Sequence, residues 1–166
     1  MPELDQIWAQ MLARAQTGAV AAGRDHVAEY LRLKASNDAI RRTGVSWLLD
    51  TFIDIATSLR VPHVPLIDRE EPHSFSLGSS NMVGTRLNIR HGVRCLSVEA
   101  GWARSPSDGI MTGGSLAHAC ISHFGIPREN RELRLVHADT LPQWISDDGS
   151  VVITGDLQRH FELLFG

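Results

Sequence analysis

The sequence predicts an α+β fold: N-terminal helices packed on a mainly antiparallel sheet, and a C-terminal helix. The sheet is expected to be a β-meander with one inserted short helix. Three observations carry this. Apolar residues recur at helical spacing from Leu4 to about Leu59. After Pro62 and Pro65 the texture changes to short alternating runs broken by Gly, Ser, Asn and Pro. From Asp156 onward helical spacing returns. The 166 residues suit one domain, helical over 1–61 and sheet-rich over 62–166.

The first helix opens with Pro2 and the acidic Glu3 and Asp5, which suit a first turn. Leu4, Ile7, Trp8, Met11 and Leu12 follow at helical spacing, and Gly18 and Gly23 punctuate it. A second helix is expected from about Asp25 towards Arg42, with Gly44 a plausible stop unless the segment runs on. The stretch VSWLLDTFIDIATSLR is the clearest helix. At about 100° per residue, Val45, Leu48, Leu49, Phe52, Ile53, Ala56 and Leu59 form one apolar face. Trp47, Asp50 and Asp54 fall opposite. An aromatic on a polar face either anchors a partner or lies under another part of the chain, so Trp47, Asp50 and Asp54 are the candidate partner-binding residues.

In the β part, VPLI and HSFSLG read as strands and GSSN as a turn. TRLNIRHGVRCLSVEAGW reads as a hairpin turning at His91-Gly92. That register pairs Leu87 with Leu96 and Thr85 with Val98. One face then carries Thr85, Leu87, Ile89, Leu96, Val98, Ala100 and Trp102; the other carries Arg86, Asn88, Arg90, Cys95, Ser97 and Glu99. A one-residue slip would destroy the sorting. Ser115 to Phe124 is ambiguous by period. Ser115 as an N-cap, Gly125 and Pro127 favour a short helix. RELRLVHA and VVI are further strands, and Leu157, Phe161, Leu164 and Phe165 line the last helix.

Composition narrows the function. The net charge of −3 creates no field to hold nucleic acid or an anionic membrane. No apolar run approaches the roughly 18 residues of a membrane span. The amino terminus is acidic and amphipathic, unlike a secretory signal. Cys95 and Cys120 form no C-x-x-C pair, which suits free thiols and a cytoplasmic location.

The motifs exclude more than they assign. Gly109 to Ser115, G-I-M-T-G-G-S, is one residue short of a P-loop and lacks its lysine. A weaker anion site is expected if Ser115 opens a helix, with Arg104 on the incoming arm and the amides after Gly113 and Gly114 as donors. His118 and His123 are five residues apart, about 140° on a helix or opposite faces of a strand, and do not make a local metal pair. No metal or cofactor is therefore expected, though His73 with Glu70 or Glu71 and a distant histidine stays open. There is no G-x-S-x-G elbow, and Cys95 reads as a structural thiol.

The polar hairpin face remains, either as a solvated sheet surface or as a recognition surface. Arg86, Asn88, Arg90 and Glu99, with Arg104, Asp108 and Ser115 from the following loop, are the candidate ligand-binding residues around one cleft. The function expected is a non-catalytic binding or regulatory module, acting through a protein partner, self-association (a homodimer) or a small polar or anionic ligand. A small hydrolase, with or without a metal, its site between the polar face of the 86–99 hairpin and the 104–115 loop and Asp108 as acid or base, is the alternative. Nucleic-acid binding through Arg86 and Arg90 is disfavoured by charge and by few aromatics beside the arginines.

Overall fold

The computed structural model describes residues 2–111, 114–139 and 141–166. Helices α1 (Pro2–Ala21) and α2 (Asp25–Ser58) come first. Six strands follow: β1 (Leu66–Leu77), β2 (Ser80–His91), β3 (Arg94–Trp102), β4 (Ala117–His123), β5 (Arg131–Val136) and β6 (Gln143–Ser146). Helix α3 (Thr154–Phe165) ends the chain. The strands form one antiparallel meander in the order β1-β2-β3-β4-β5-β6. The α+β arrangement is the expected one.

One face of the sheet carries the core. The second half of α2 lays Val45, Leu48, Leu49, Phe52, Ile55 and Ala56 against Leu87, Ile89, Leu96, Val98, Ile121 and Leu135. Helix α3 adds Leu157, Phe161 and Leu164. Each fully buried Leu, Ile or Phe contributes about 1.5–3 kcal/mol of transfer free energy, so this layer is where most of the stabilisation lies. By contrast, Leu12 and Ala19 are the buried side chains among those described in α1. Among the described residues, none of α1 belongs to the core cluster.

Helix α2 does not stop at Gly44. The glycine is needed for contact: a Cβ there would lie 2.5 Å from Leu135 Cδ2. Its carbonyl accepts a hydrogen bond from Trp144 Nε1 at 3.0 Å. The residue therefore lets helix and sheet approach closely.

The β2–β3 hairpin keeps the expected faces but not the expected register. His91 pairs with Arg94, Leu87 with Val98 and Thr85 with Ala100. The loop is Gly92-Val93, because Gly92 takes the positive φ (61°) and His91 stays in the strand. A glycine at the first central position is the type II′ requirement. The register differs by two residues, an even number, so every side chain keeps its face.

VPLI and HSFSLG belong to one strand, β1, with an irregularity between Glu70 and His73 around Pro72. An edge position tolerates proline because no ladder donor is needed on its outer side. GSSN contributes only Gly78-Ser79 to a tight turn, since Leu77 already pairs with Ser80. The segment Ser115–Phe124 is not a helix. Strand β4 occupies 117–123, with Ala117, Ala119 and Ile121 in the core. Two strand neighbours give it a ladder on both sides, and Gly125 turns the chain after it (φ 79°). The helical turns described inside the meander are the short 3-10 turns Pro106–Asp108 and Pro127–Glu129. VVI is reduced to a single bridge, Val151 to Ile145. The sixth strand is instead QWIS, whose Trp144 supplies a core side chain.

Candidate functional site

The outer sheet face, away from the helices, gathers most of the polar residues. Strand alternation and the observed register place Asp68, Asn88, Ser97 and Ser122 in one row across it. Glu70, Arg86, Glu99, Cys120 and Glu132 form the next row. Asn88 is buried, and its Oδ1 accepts from Ser97 Oγ at 2.7 Å and from Arg86 Nε at 3.2 Å. Cys95 Sγ lies 3.7 Å from Ser97 Oγ. Arg86 stands directly between Glu70 and Glu99 in the ladder. Arg90 is exposed at the hairpin end. Arg86, Asn88, Arg90 and Glu99 thus do share a groove of about 510 Å³. Arg86 bonds to Asn88 within this set, while Ser97 bonds to Asn88 and His73 to Glu99 from beside it.

Sequence spacing did not reveal the partner of Glu99. His73 Nε2 lies 2.5 Å from Glu99 Oε2, and His73 Nδ1 lies 3.6 Å from Glu70 Oε2. The irregularity after Glu70 shifts the phase of β1, so no fixed spacing predicts this contact. Cys120 stands beside Glu99 in the ladder. Burial, with Glu132, Glu99 and Asp147 nearby, pushes its thiol up to about 11, the opposite of an activated nucleophile. Among the described residues, no group of three or more His, Cys, Asp and Glu side chains is arranged to hold a metal ion.

Arg104, Asp108 and Ser115 do not join this groove. Arg104 belongs to the helical side: it bonds Asp5 Oδ1 at 3.1 Å and the Val83 carbonyl at 3.2 Å. Its guanidinium lies 3.9 Å from the Trp102 ring centre. It lines a separate cavity of about 510 Å³ with Asp5, Arg42 and Arg69. Asp108 accepts from the Ser105 amide and hydroxyl at 3.2 and 3.0 Å, closing its own turn. Ser115 is buried before β4 and opens no helix, so the expected N-terminal anion site has no helix to build it. Gly113 lies outside the described residues.

Lower on the outer face the backbones of β2 and β3 approach closely. Gly84 and Gly101 face each other, and a Cβ on Gly84 would fall 1.9 Å from the Ala100 carbonyl oxygen. The β1–β2 hairpin outruns β3 beyond Val83. Its Leu77 and Met82 line one cleft of about 470 Å³ with His118, Arg134 and Ile145 from β4, β5 and β6.

Trp47, Asp50 and Asp54 all lie exposed on α2. Asp54 borders a groove between α2 and α3. The exposed apolar side chains concentrate elsewhere, on the antiparallel α1–α2 hairpin: Leu4, Ile7 and Met11 on α1 and Tyr30 and Leu33 on α2 are each at least half exposed. The hairpin is tied together by Trp8 Nε1 to Asp38 Oδ2 at 3.1 Å, with Lys34 over the Trp8 ring. Among the described residues no helix is long and apolar enough to cross a membrane. No family model matches the sequence, and neither a curated protein nor a solved structure matches it.

Proposed function

We propose that this chain is a non-catalytic binding module that works through protein contact, with a second copy of itself docked on the α1–α2 hairpin. The observation that carries the reading is the apolar surface of a hairpin whose α1 lies outside the core: Leu4, Ile7, Met11, Tyr30 and Leu33 face solvent. Large exposed apolar patches mark interaction sites. A second copy suits it because α1 carries few charges, Glu3, Asp5 and Arg14, and its stripe at 4, 7 and 11 has none. An isologous contact therefore brings no like charges together at its centre. A 20-residue helix is about 30 Å long, and two such helices side by side are about 20 Å wide, or about 600 Å² per partner before side-chain relief. That approaches the ~800 Å² per partner of a standard interface.

Sedimentation equilibrium from about 1 to 100 μM tests it, spanning the affinity range expected of such an interface. The wild type is expected to dimerise, and Ile7→Glu with Met11→Glu to leave a folded monomer. A wild type that stays monomeric throughout defeats self-association. A dimer unaffected by these changes but broken by Trp47→Ala moves the interface to the Trp47, Asp50 and Asp54 surface. The hydrolase alternative lacks support of this kind, since Arg104, Asp108 and Ser115 do not line the groove of Arg86, Asn88, Arg90 and Glu99.

A further inference from the structure

The cleft beneath the β1–β2 hairpin carries unspent hydrogen-bonding capacity. His118 is 8% exposed and lines it, yet its Nδ1 is buried with no hydrogen-bond partner. Either tautomer leaves that nitrogen unsatisfied, because a neutral imidazole has one donor and one acceptor. Such buried, unmatched polar atoms are uncommon in folded proteins. Arg134 is the direct cross-strand neighbour of His118 and is half-buried. Its guanidinium makes no hydrogen bond or ion pair among the described residues. The carboxylates of Glu132 and Asp147, on the exposed rim of the same cleft, are likewise without one. One wall is apolar: Met82 is 1% exposed, and Leu77 lies beside it.

We propose that this cleft binds a small zwitterion with an apolar side chain, of the free amino-acid class, its carboxylate on Arg134 and His118, its ammonium on Glu132 and Asp147, and its side chain on Met82 and Leu77. The charge balance selects this class. One guanidinium with two rim carboxylates opposes a simple anion, and a simple cation leaves Arg134 and His118 unmatched. A zwitterion meets both, and a guanidinium is suited to bidentate contact with a carboxylate. The cleft's 470 Å³ is in the range of small-molecule sites. The site is on the sheet face opposite α2 and stands independently of dimer formation.

The test is imidazole nitrogen NMR on the full chain labelled at histidine, with His118 assigned by loss of its signals in His118→Gln. Leucine, methionine and phenylalanine are titrated to about 20 mM, ample for a weak small-molecule site. At least one is expected to shift His118 saturably while leaving His137 unmoved. For leucine, the two single-charge analogues, 4-methylpentanoate and 3-methylbutylamine, are expected to bind about tenfold or more weakly, and Arg134→Gln to weaken the amino acid by a similar factor. If none of the three amino acids moves His118, the cleft is not this site. If either analogue matches its parent, the zwitterion assignment is wrong. Should Arg134→Gln not fold, the analogue comparison on the wild type decides alone.

Discussion

Replacing His160 by glutamine tests a partly buried histidine pair that joins α3 to the sheet. His160 Nδ1 lies 2.8 Å from His123 Nε2, with the rings stacked at 5.1 Å. Burial is the main cause that pushes His160 down to about 4; His123 and Arg131 push the same way, and Asp156 offsets them in part. His123 is lowered too, chiefly by burial. The folded value lies below the unfolded one, so the unfolded chain takes up the proton first as pH falls. Stability is therefore full above about pH 6.5, drains between about 6.5 and 4, and levels off below. For His160 alone, linkage gives a loss of about 2 kcal/mol by pH 5 and about 3 kcal/mol by pH 4. Urea unfolding of wild type and His160→Gln at several pH values reads this directly. The wild type is expected to lose about 1 M more in urea midpoint than the variant between about pH 7 and 4.5. Because carboxylates titrate in both proteins, the difference between them isolates the histidine. Equal acid losses in the two proteins, or an NMR titration of His160 near 6.5, would refute the argument.

Two further outcomes follow from the sheet. Gly84→Ala is expected to cost about 3 kcal/mol or more, since its Cβ meets the backbone of Ala100. Gly92→Ala, whose Cβ points into open space at a φ of 61°, is expected to cost only about 1 kcal/mol. Thermal melts of the two variants rank them, and equal losses would contradict the close crossing at Gly84. Cys120, pushed up to about 11, is expected to be about 0.1% thiolate at about pH 8, so iodoacetamide labels it far more slowly than a solvent-exposed thiol. Peptide mass mapping of the native protein measures the rate, and fast labelling would show that the thiol is less buried than this fold makes it.

Much of this architecture is written in local patterns. The α2 face from Val45 to Ala56 is legible because a 3.6-residue period over several turns has no competing reading. The two faces of the β2–β3 hairpin are legible because strand alternation has a period of two. It survives an even register shift, so moving the loop from His91-Gly92 to Gly92-Val93 changed every pairing and no face. That Arg86, Asn88, Arg90 and Glu99 share one face followed from that sorting alone.

Tertiary structure decided the rest wherever the pattern was short or a contact was distant. Ala117 to His123 is too brief for its period to separate helix from strand, and the ladders from β3 and β5 made it a strand. Gly44 reads as a helix stop in one dimension, yet becomes a contact point once Leu135 lies against it. Arg104 follows the polar strand in sequence, but Trp102 and Asp5 hold it on the helical side. His73 meets Glu99, and His118 meets Arg134, through pairings between strands whose register no local spacing encodes. Local sequence sets which way each side chain points, because backbone periodicity is a short-range property. Which side chains then share a site depends on strand register and sheet curvature, and those are settled only when the core closes.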